Sequence, residues 1–117
     1  MRVVRLDDAE PQPSDAAIFM GGVASRPLLD QPTEHVRLGL VRFSPGARTR
    51  LHRHTYEQVL VITEGKGIVA TESEQWVVTP GAVVVIPQGE PHTHGATEDT
   101  AMAHISIGTP GETILLE

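Results

Sequence analysis

Five of the six histidines fall close together in the sequence, and histidine is the side chain that most often binds transition metals in proteins. They form two His-x-His pairs and one further position: His52 and His54, His92 and His94, and His104. Residues two apart on a strand point to the same face, so each pair presents two imidazoles side by side. Gln58, four residues beyond His54, keeps the same parity. This pattern indicates a site for one divalent metal ion.

A single His-x-His pair on an exposed strand is more often a solvated surface than a ligand set. Two such pairs, each bounded by turn residues and β-forming runs, favour metal binding over that alternative. The chain contains no cysteine, which excludes disulfides, thiolate ligands and thiol nucleophiles. Any metal must therefore be held by nitrogen and oxygen atoms.

The composition excludes several classes of partner. A formal charge of −6 argues against binding to nucleic acid or to an anionic membrane, both of which need clustered Lys and Arg. The first residues, Met1 to Asp8, are too acidic for a signal peptide, and no apolar run is long enough to span a membrane. We therefore expect a cytoplasmic protein that acts on a small molecule.

Turn residues punctuate the chain every eight to twelve positions or so, for example at Pro32, Pro45-Gly46, Pro80-Gly81 and Pro110-Gly111. Short runs of strand-forming residues lie between the turns, and no segment has a sustained helical period. The sequence thus predicts an all-β, antiparallel barrel or sandwich. The predicted strands are His35 to Phe43, Thr49 to His54, Gln58 to Thr63, Gly67 to Glu72, Gln75 to Val78, Ala82 to Ile86, Ala101 to Ile107 and Thr113 to Leu116.

Several of these strands are apolar on both faces, notably Val59 to Ile62 and Val83 to Ile86. A strand of this kind needs cover on both sides, from a second sheet or from another subunit, so we expect a homodimer. The 117 residues fit a single domain, residues 1–117. About the first 20 residues form an N-terminal arm, in which Asp7 to Asp15 resembles an exposed linker.

The spacing of the histidines resembles the two motifs of the cupin superfamily. The first motif, G-x5-H-x-H-x3,4-E-x6-G, fits residues 46–65 at Gly46, His52, His54, Gln58 and Gly65. The second, G-x5-P-x-G-x2-H-x3-N, fits residues 81–96 at Gly81, Pro87, Gly89 and His92, and departs from the pattern only at Ala96. The resemblance implies a cupin, or jelly-roll, β-barrel that binds a metal through His52, His54, Gln58 and His92.

Gln58 occupies the position at which cupins usually carry Glu, and the neighbouring Glu57 offers an alternative register. Parity favours Gln58, because Glu57 points to the opposite face unless a bulge intervenes. Three imidazoles and one carboxamide form a neutral ligand set, which leaves the metal a stronger Lewis acid and favours non-redox chemistry. Such ligands suit Mn, Fe, Co, Ni or Zn.

The chain also resembles small bacterial cupins with hydroxynitrile lyase activity, which bind manganese through three His and one Gln. The similar segments are 46–49, 52–58, 61–63, 89–96 and 101–104. This resemblance implies a lyase that cleaves cyanohydrins, with manganese as its metal. It also implies that His94 and His104 lie near the metal, and that His104 is the catalytic base.

Several alternatives stay open at this point. His104 can be a core histidine hydrogen-bonded for structural reasons. His94, which shares parity with His92, can orient the substrate as a second catalytic residue or be an exposed residue at the rim. Because Met102 and Ser106 share a face with His104, we expect semi-apolar surroundings that lower its pKa. Since cupins host many chemistries, a dioxygenase, a uronate isomerase or lyase, and a non-catalytic sugar-binding module are the competing functions. We expect Tyr56 and Trp76 to pack structurally, and Arg48, Arg50 and Arg53 to be solvated.

Overall fold

The computed structural model describes residues 1–29 and 33–117, so the turn predicted at Pro32 lies outside the described residues. Thirteen strands and no helix are present in these two ranges. In chain order the strands are β1 (Gln12–Pro13), β2 (Phe19–Met20), β3 (Val23–Pro27), β4 (Arg37–Phe43), β5 (Arg48–Thr49), β6 (His52–His54), β7 (Gln58–Gly65), β8 (Gly67–Ala70), β9 (Gln75–Val78), β10 (Val83–Ile86), β11 (Thr93–Ala96), β12 (Met102–Gly108) and β13 (Thr113–Leu115).

The strands form two larger sheets and one small one, in which neighbouring strands pair antiparallel. The six-stranded sheet has the order β1-β3-β4-β12-β7-β10, and the five-stranded sheet has the order β2-β5-β11-β8-β9. Strands β13 and β6 form the two-stranded sheet. The predicted all-β antiparallel jelly-roll fold is thereby confirmed. No part of the described chain forms a helix that could cross a membrane.

The core lies between the two larger sheets, because both contribute their inward-facing residues to it. Phe43 and Ile62 come from the six-stranded sheet and Val69 and Ala96 from the five-stranded sheet. Phe43 has no exposed surface, and its ring meets Phe19 edge to face at a centroid distance of 5.9 Å. Burial of these apolar side chains holds the two sheets together.

Each predicted strand overlaps an observed one, with one difference that matters for the site. The predicted strand Thr49 to His54 is split into β5 and β6, which belong to different sheets. Four of the observed strands were not predicted: β1, β2, β3 and β11. The arm is exposed up to Glu10, as expected, but Gln12–Pro13 within the predicted linker pairs with β3 as an edge strand.

Gly65 illustrates why the motif needs glycine at the end of β7. Its φ of 73° lies in the left-handed region, which side chains other than glycine rarely adopt. A Cβ atom built there would lie 1.8 Å from the carbonyl oxygen of Ala101. Glycine therefore lets β7 turn into β8 while the backbone before β12 passes directly beside it.

Candidate metal centre

Three histidines converge inside the barrel. The ligand atoms of His52, His54 and His92 all lie within 4.8 Å of one another, and all three residues are buried. Strand β6 carries the first two, on the same face as predicted. His92 is brought to them by the backbone, since the amide of His92 donates to the carbonyl of His52 at 2.9 Å and the reverse bond measures 3.2 Å.

The loop that precedes His92 is tied to the same strand. Gly89 has a φ of 82°, and its amide donates a hydrogen bond to the carbonyl oxygen of His54 at 2.9 Å. The left-handed conformation explains the glycine at this motif position. The two sequence motifs are thus joined through backbone contacts, which fix the distance between the imidazoles.

Two of the three rings have a defined tautomer. Nδ1 of His52 lies 2.7 Å from the carbonyl oxygen of Arg50, and Nδ1 of His92 lies 2.8 Å from that of Glu90. A carbonyl oxygen can only accept, so each Nδ1 carries the proton and each Nε2 keeps its lone pair. Neither Nε2 atom has a hydrogen-bond partner among the described residues. A metal ion satisfies buried lone pairs of this kind.

Nε2 of His54 is buried without a partner as well, while its Nδ1 lies 2.9 Å from the hydroxyl of Thr113. A hydroxyl can donate or accept, so this contact does not by itself fix the tautomer of His54. The Tyr56 ring stacks on the His54 imidazole with a centroid distance of 4.8 Å and an interplanar angle of 24°. The third imidazole is therefore held by packing and by a side chain from the last strand.

Gln58 points into the barrel and Glu57 points to solvent, so the register that parity favoured is confirmed. His54 and Gln58 are both buried although the chain bends between them and they lie in different sheets. The amide nitrogen of Gln58 donates to the hydroxyl of Ser106 at 2.9 Å, and Oε1 is buried without a partner. Oε1 of Gln58 is thus a fourth buried neutral donor atom, and the Gln58 side chain lies close enough to His54 to affect its pKa.

The residues present fit a divalent transition metal, because four buried donor atoms lack any other partner. Burial lowers the pKa of His52 and His54 to about 4, so both imidazoles are neutral at neutral pH, as ligation requires. Repulsion from the neighbouring histidines acts in the same direction. The pKa of His92 is also lowered, chiefly by burial.

A second pair of imidazoles lies against this set. Nε2 of His104 is 3.2 Å from Nδ1 of His94, and both rings are buried. The His94 ring also contacts the rings of His52 and His92, at centroid distances of 5.6 and 5.7 Å. The structure therefore brings together all six residues that the sequence singled out, with His94 between the three-histidine group and His104.

The alternative of an exposed His94 at the rim is wrong, because its side chain is buried and its amide donates to Thr49 Oγ1 at 3.1 Å. The expected semi-apolar surroundings of His104 are confirmed: its ring lies 5.6 Å from the Phe43 ring, and burial lowers its pKa to about 4. The pKa of His94 is also lowered well below its ordinary value, first by burial and then by the neighbouring His104.

A cleft of about 680 Å³ is lined mainly by residues of β3 and β4. Phe19, Val41, Tyr56 and Ser106 are among its lining residues, and Arg26 and Arg37 line it as well. None of the four candidate ligands lines the cleft, but Tyr56 and Ser106 contact His54 and Gln58 and so connect it to the candidate metal centre. Its largely apolar walls can hold an organic molecule.

Trp76 was expected to pack structurally, and that expectation is wrong. Its side chain is 62% exposed on edge strand β9, and its indole nitrogen donates to Glu74 at 3.1 Å. Trp76 lies on the last strand of the five-stranded sheet, where it lines a pocket of about 130 Å³ together with Ile86 of the six-stranded sheet and His92. Tyr56 packs as expected.

Of the three arginines, Arg48 pairs with Glu117, Arg50 donates to the carbonyl of Ala17 and Arg53 is exposed.

Two contacts of the site were not predicted from the sequence, that of Thr113 with His54 and that of Ser106 with Gln58. Ser106 shares the parity of His104 on the same strand, which indicates that it faces the same side of the sheet. No sequence pattern indicates the position of Thr113, because its contact with His54 depends on the pairing of β13 with β6.

Comparison with known proteins places the chain among cupins. Residues 39–108 match the protein family described as Cupin domain. The chain is 37% identical over 111 residues to (R)-mandelonitrile lyase of Granulicella tundricola, an alignment that covers 92% of this chain and 83% of that protein. A cupin-like protein from Thermotoga maritima is 32% identical, with a TM-score of 0.86 over 94% of this chain and 88% of the other. The polyketide cyclase RemF of Streptomyces resistomycificus has a TM-score of 0.87 at 20% identity, over 100% of this chain and 86% of the other.

Proposed function

Because this chain belongs to the cupin family, we propose that it is a metal-dependent lyase that cleaves cyanohydrins into a carbonyl compound and hydrogen cyanide. One observation carries the metal part of the proposal: four neutral donor atoms, from His52, His54, Gln58 and His92, are buried without another partner. The likeness to a mandelonitrile lyase along most of the chain supports the choice of reaction.

The metal ion would be held by the three Nε2 atoms and by Oε1 of Gln58. When bound, it would supply Lewis-acid chemistry to the oxygen of the substrate. Manganese is the first metal to test, since the resemblance to manganese-dependent cupins includes the Gln58 position. Ligand type alone allows iron, cobalt, nickel and zinc as well.

The His94–His104 pair provides the acid–base function in this proposal. Both rings are neutral at neutral pH because burial lowers their pKa values, and one ring nitrogen of each has no partner. The pair accepts the hydroxyl proton of the cyanohydrin as the carbon–carbon bond to the nitrile breaks. It then returns the same proton to the departing cyanide, so the products are a neutral carbonyl compound and hydrogen cyanide.

The cleft positions the organic part of the substrate. Its wall includes Phe19, Val41 and Tyr56, which can pack against an aromatic or branched aliphatic group, beside Arg26 and Arg37. We therefore choose mandelonitrile, which carries a phenyl ring, as the first substrate to test.

The test is cyanide release by the metal-loaded protein. The protein is stripped with a chelator, reloaded with Mn²⁺, and given mandelonitrile at mildly acidic pH, where spontaneous decomposition is slow. Benzaldehyde and cyanide are measured together and should appear in equal amounts, faster than with heat-denatured or metal-free protein. Failure to release cyanide from several cyanohydrins with any of the five metals contradicts the proposal, and oxygen uptake with a dicarbonyl substrate would instead favour a dioxygenase.

We also propose that the enzyme is a homodimer. Edge strand β10 leaves Val83 and Val85 60% and 59% exposed, and the next two strands continue this apolar surface. We call it the valine–isoleucine face: Val59, Val61, Val83, Val85, Ile105 and Ile107. A face without charged side chains is complementary to a second copy of itself, and a two-fold axis would bury the same patch on both subunits.

A further inference from the structure

Strand β6, which carries His52 and His54, is held by a segment far along the chain. We call residues 111–117 the clasp. Within the clasp, β13 pairs with β6 so that Thr113 lies opposite His54 and Leu115 opposite His52. The backbone bonds continue on both sides, from the amide of Thr55 to the carbonyl of Glu112 at 3.0 Å and from Leu116 to Leu51 at 2.9 Å.

The clasp provides most of the support for β6. In the described part of the chain, β6 pairs with no other strand, and its one further β-contact is the bridge between His52 and His92. Glu117 adds side-chain bonds at the far end, since its carboxylate accepts from the amide of Leu51 and pairs with Arg48 at 2.9 Å. The position of two candidate ligands thus depends on this segment.

One contact of the clasp reaches a candidate ligand directly. The imidazoles of His52 and His92 are each held at Nδ1 by a carbonyl two residues earlier, so local backbone fixes them. His54 differs, because its Nδ1 lies 2.9 Å from the hydroxyl of Thr113, 59 positions away. Only this imidazole of the three depends on a distant side chain.

The clasp also confines the ring that stacks on His54. A Cβ atom on Gly111 would lie 2.7 Å from Cδ1 of Tyr56, and one on Gly108, just before the clasp, would lie 2.6 Å from Cε2. Tyr56 is therefore packed closely between the His54 imidazole on one side and this glycine-bounded backbone on the other. Two independent contacts, one polar and one by packing, orient the same imidazole.

We propose that Thr113 is a positioning residue of the metal centre, which accepts a hydrogen bond from Nδ1–H of His54 and so keeps the Nε2 lone pair directed at the metal. This inference rests on the proposed metal-dependent function. Thr113 lies beyond residues 39–108, which match the family, so the role belongs to a part of the chain that the family match does not cover. Groups that hold the outer nitrogen of a metal-binding histidine commonly change metal affinity 10- to 100-fold.

The test uses two variants of Thr113. Thr113→Val removes the hydroxyl and keeps the branched shape that suits a strand, whereas Thr113→Ser keeps the hydroxyl. Thr113 is exposed, so neither change leaves a cavity, and the unfolding temperature of the metal-free protein should stay the same. Manganese affinity is measured by competition with a chelator, and we expect about a 10- to 100-fold loss for Thr113→Val and little change for Thr113→Ser.

A second measurement does not require metal. In protein labelled with ¹⁵N-histidine, the ring nitrogen shifts report which nitrogen carries the proton. We expect the proton of His54 on Nδ1 in the unsubstituted protein and in Thr113→Ser, and a mixture of tautomers in Thr113→Val. His52 and His92, which contact carbonyl oxygens, serve as internal controls and should not change.

The outcomes separate the two proposals. If the unsubstituted protein binds manganese and Thr113→Val binds it equally well with an unchanged His54 tautomer, the inference is wrong while the metal centre stands. If the unsubstituted protein binds none of the five metals, the proposed function fails, and the positioning role fails with it. Loss of affinity in both Thr113 variants would also overturn the inference, since the hydroxyl would then not be the cause.

Discussion

Nε2 of His104 lies 3.2 Å from Nδ1 of His94, deep inside the barrel and next to the rings of the three-histidine group. Since both imidazoles are neutral at neutral pH, one ring must donate and the other accept, and a single proton lies between them. The outer nitrogens, Nε2 of His94 and Nδ1 of His104, have no partner among the residues described. A proton taken up at one end of the pair can therefore be accommodated by a change of tautomer.

This arrangement predicts that His104→Gln separates metal binding from turnover. Glutamine can keep a hydrogen bond to His94 but cannot take up a proton at neutral pH. We expect manganese content to stay the same and the rate of cyanide release to fall by about 10²- to 10⁴-fold, the usual contribution of an acid–base group. Loss of the metal in this variant would instead make His104 a ligand, and an unchanged rate would leave it a structural residue.

The second prediction concerns the amide ligand. Gln58→Ala removes a donor atom, so manganese affinity should fall by about 100-fold or more. This loss exceeds the 10- to 100-fold that is typical of residues that contact a metal ligand rather than the metal itself. Ser106→Ala removes only the acceptor of the Gln58 amide and should cost about 10-fold. The matched control is Glu57→Ala, next to Gln58 but exposed, which should bind as tightly as the unsubstituted protein in the same titration. The reverse order of Gln58→Ala and Glu57→Ala would contradict the proposed ligand set.

The third prediction is that the metal-free protein loses stability between about pH 6.5 and about pH 4. The pKa values of His52, His54 and His104 are about 4 in the folded state and 6.5 in the reference state. Between these values the unfolded chain binds protons that the folded chain does not, so stability is complete above pH 6.5 and falls as the pH falls. Each such histidine contributes at most about 1.4 kcal/mol per pH unit.

Denaturant unfolding of the chelated protein at several pH values above 5 measures this effect, because carboxylates contribute mainly below that range. His104→Gln removes one of the buried groups and should make the dependence on pH shallower. His35→Gln removes an exposed histidine and serves as the control, which should reproduce the parent profile. A free energy of unfolding that is flat from about pH 7 to about pH 5 would contradict the prediction.

The fourth prediction tests the homodimer. Val85→Asp places a charge on edge strand β10 of the valine–isoleucine face, at a position that is 59% exposed in the single chain. We expect a dimer in sedimentation velocity for the unsubstituted protein and a monomer of unchanged fold for the variant. Val3→Asp changes an exposed valine of the N-terminal arm and should remain dimeric. A monomeric unsubstituted protein at micromolar concentration would show that the face serves another purpose.

The strands that were predicted from the sequence are those whose own residues favour an extended conformation. β7 is rich in β-branched residues and β10 consists of them entirely, and both were located within two residues at either end. β11 was missed because its sequence, Thr93-His94-Gly95-Ala96, has little strand propensity and is extended by its pairing with β8 and β5. β3 was missed for a similar reason, since it ends in Pro27 and is defined by its pairing with β4.

The candidate site was predictable to the extent that it depends on local spacing. Parity and motif spacing identified the four donor residues, and the resemblance identified His94 and His104. The sequence patterns and the resemblance do not reveal that His94 lies between the three-histidine group and His104, because the position of His94 depends on how the two large sheets face each other. The contact of Thr113 with His54 was equally hidden, since no local pattern records a pairing between segments 59 residues apart.

The pairing of β13 with β6 has a consequence for the order in which the protein is made. A chain that emerges from the ribosome contains both His-x-His pairs well before Thr113, yet β6 cannot pair with its partner strand until β13 has been synthesised. Contacts between distant segments form late in folding, because the intervening chain must first be ordered. The proposed metal centre would therefore lack the pairing of β6 with β13 until translation has passed Leu115.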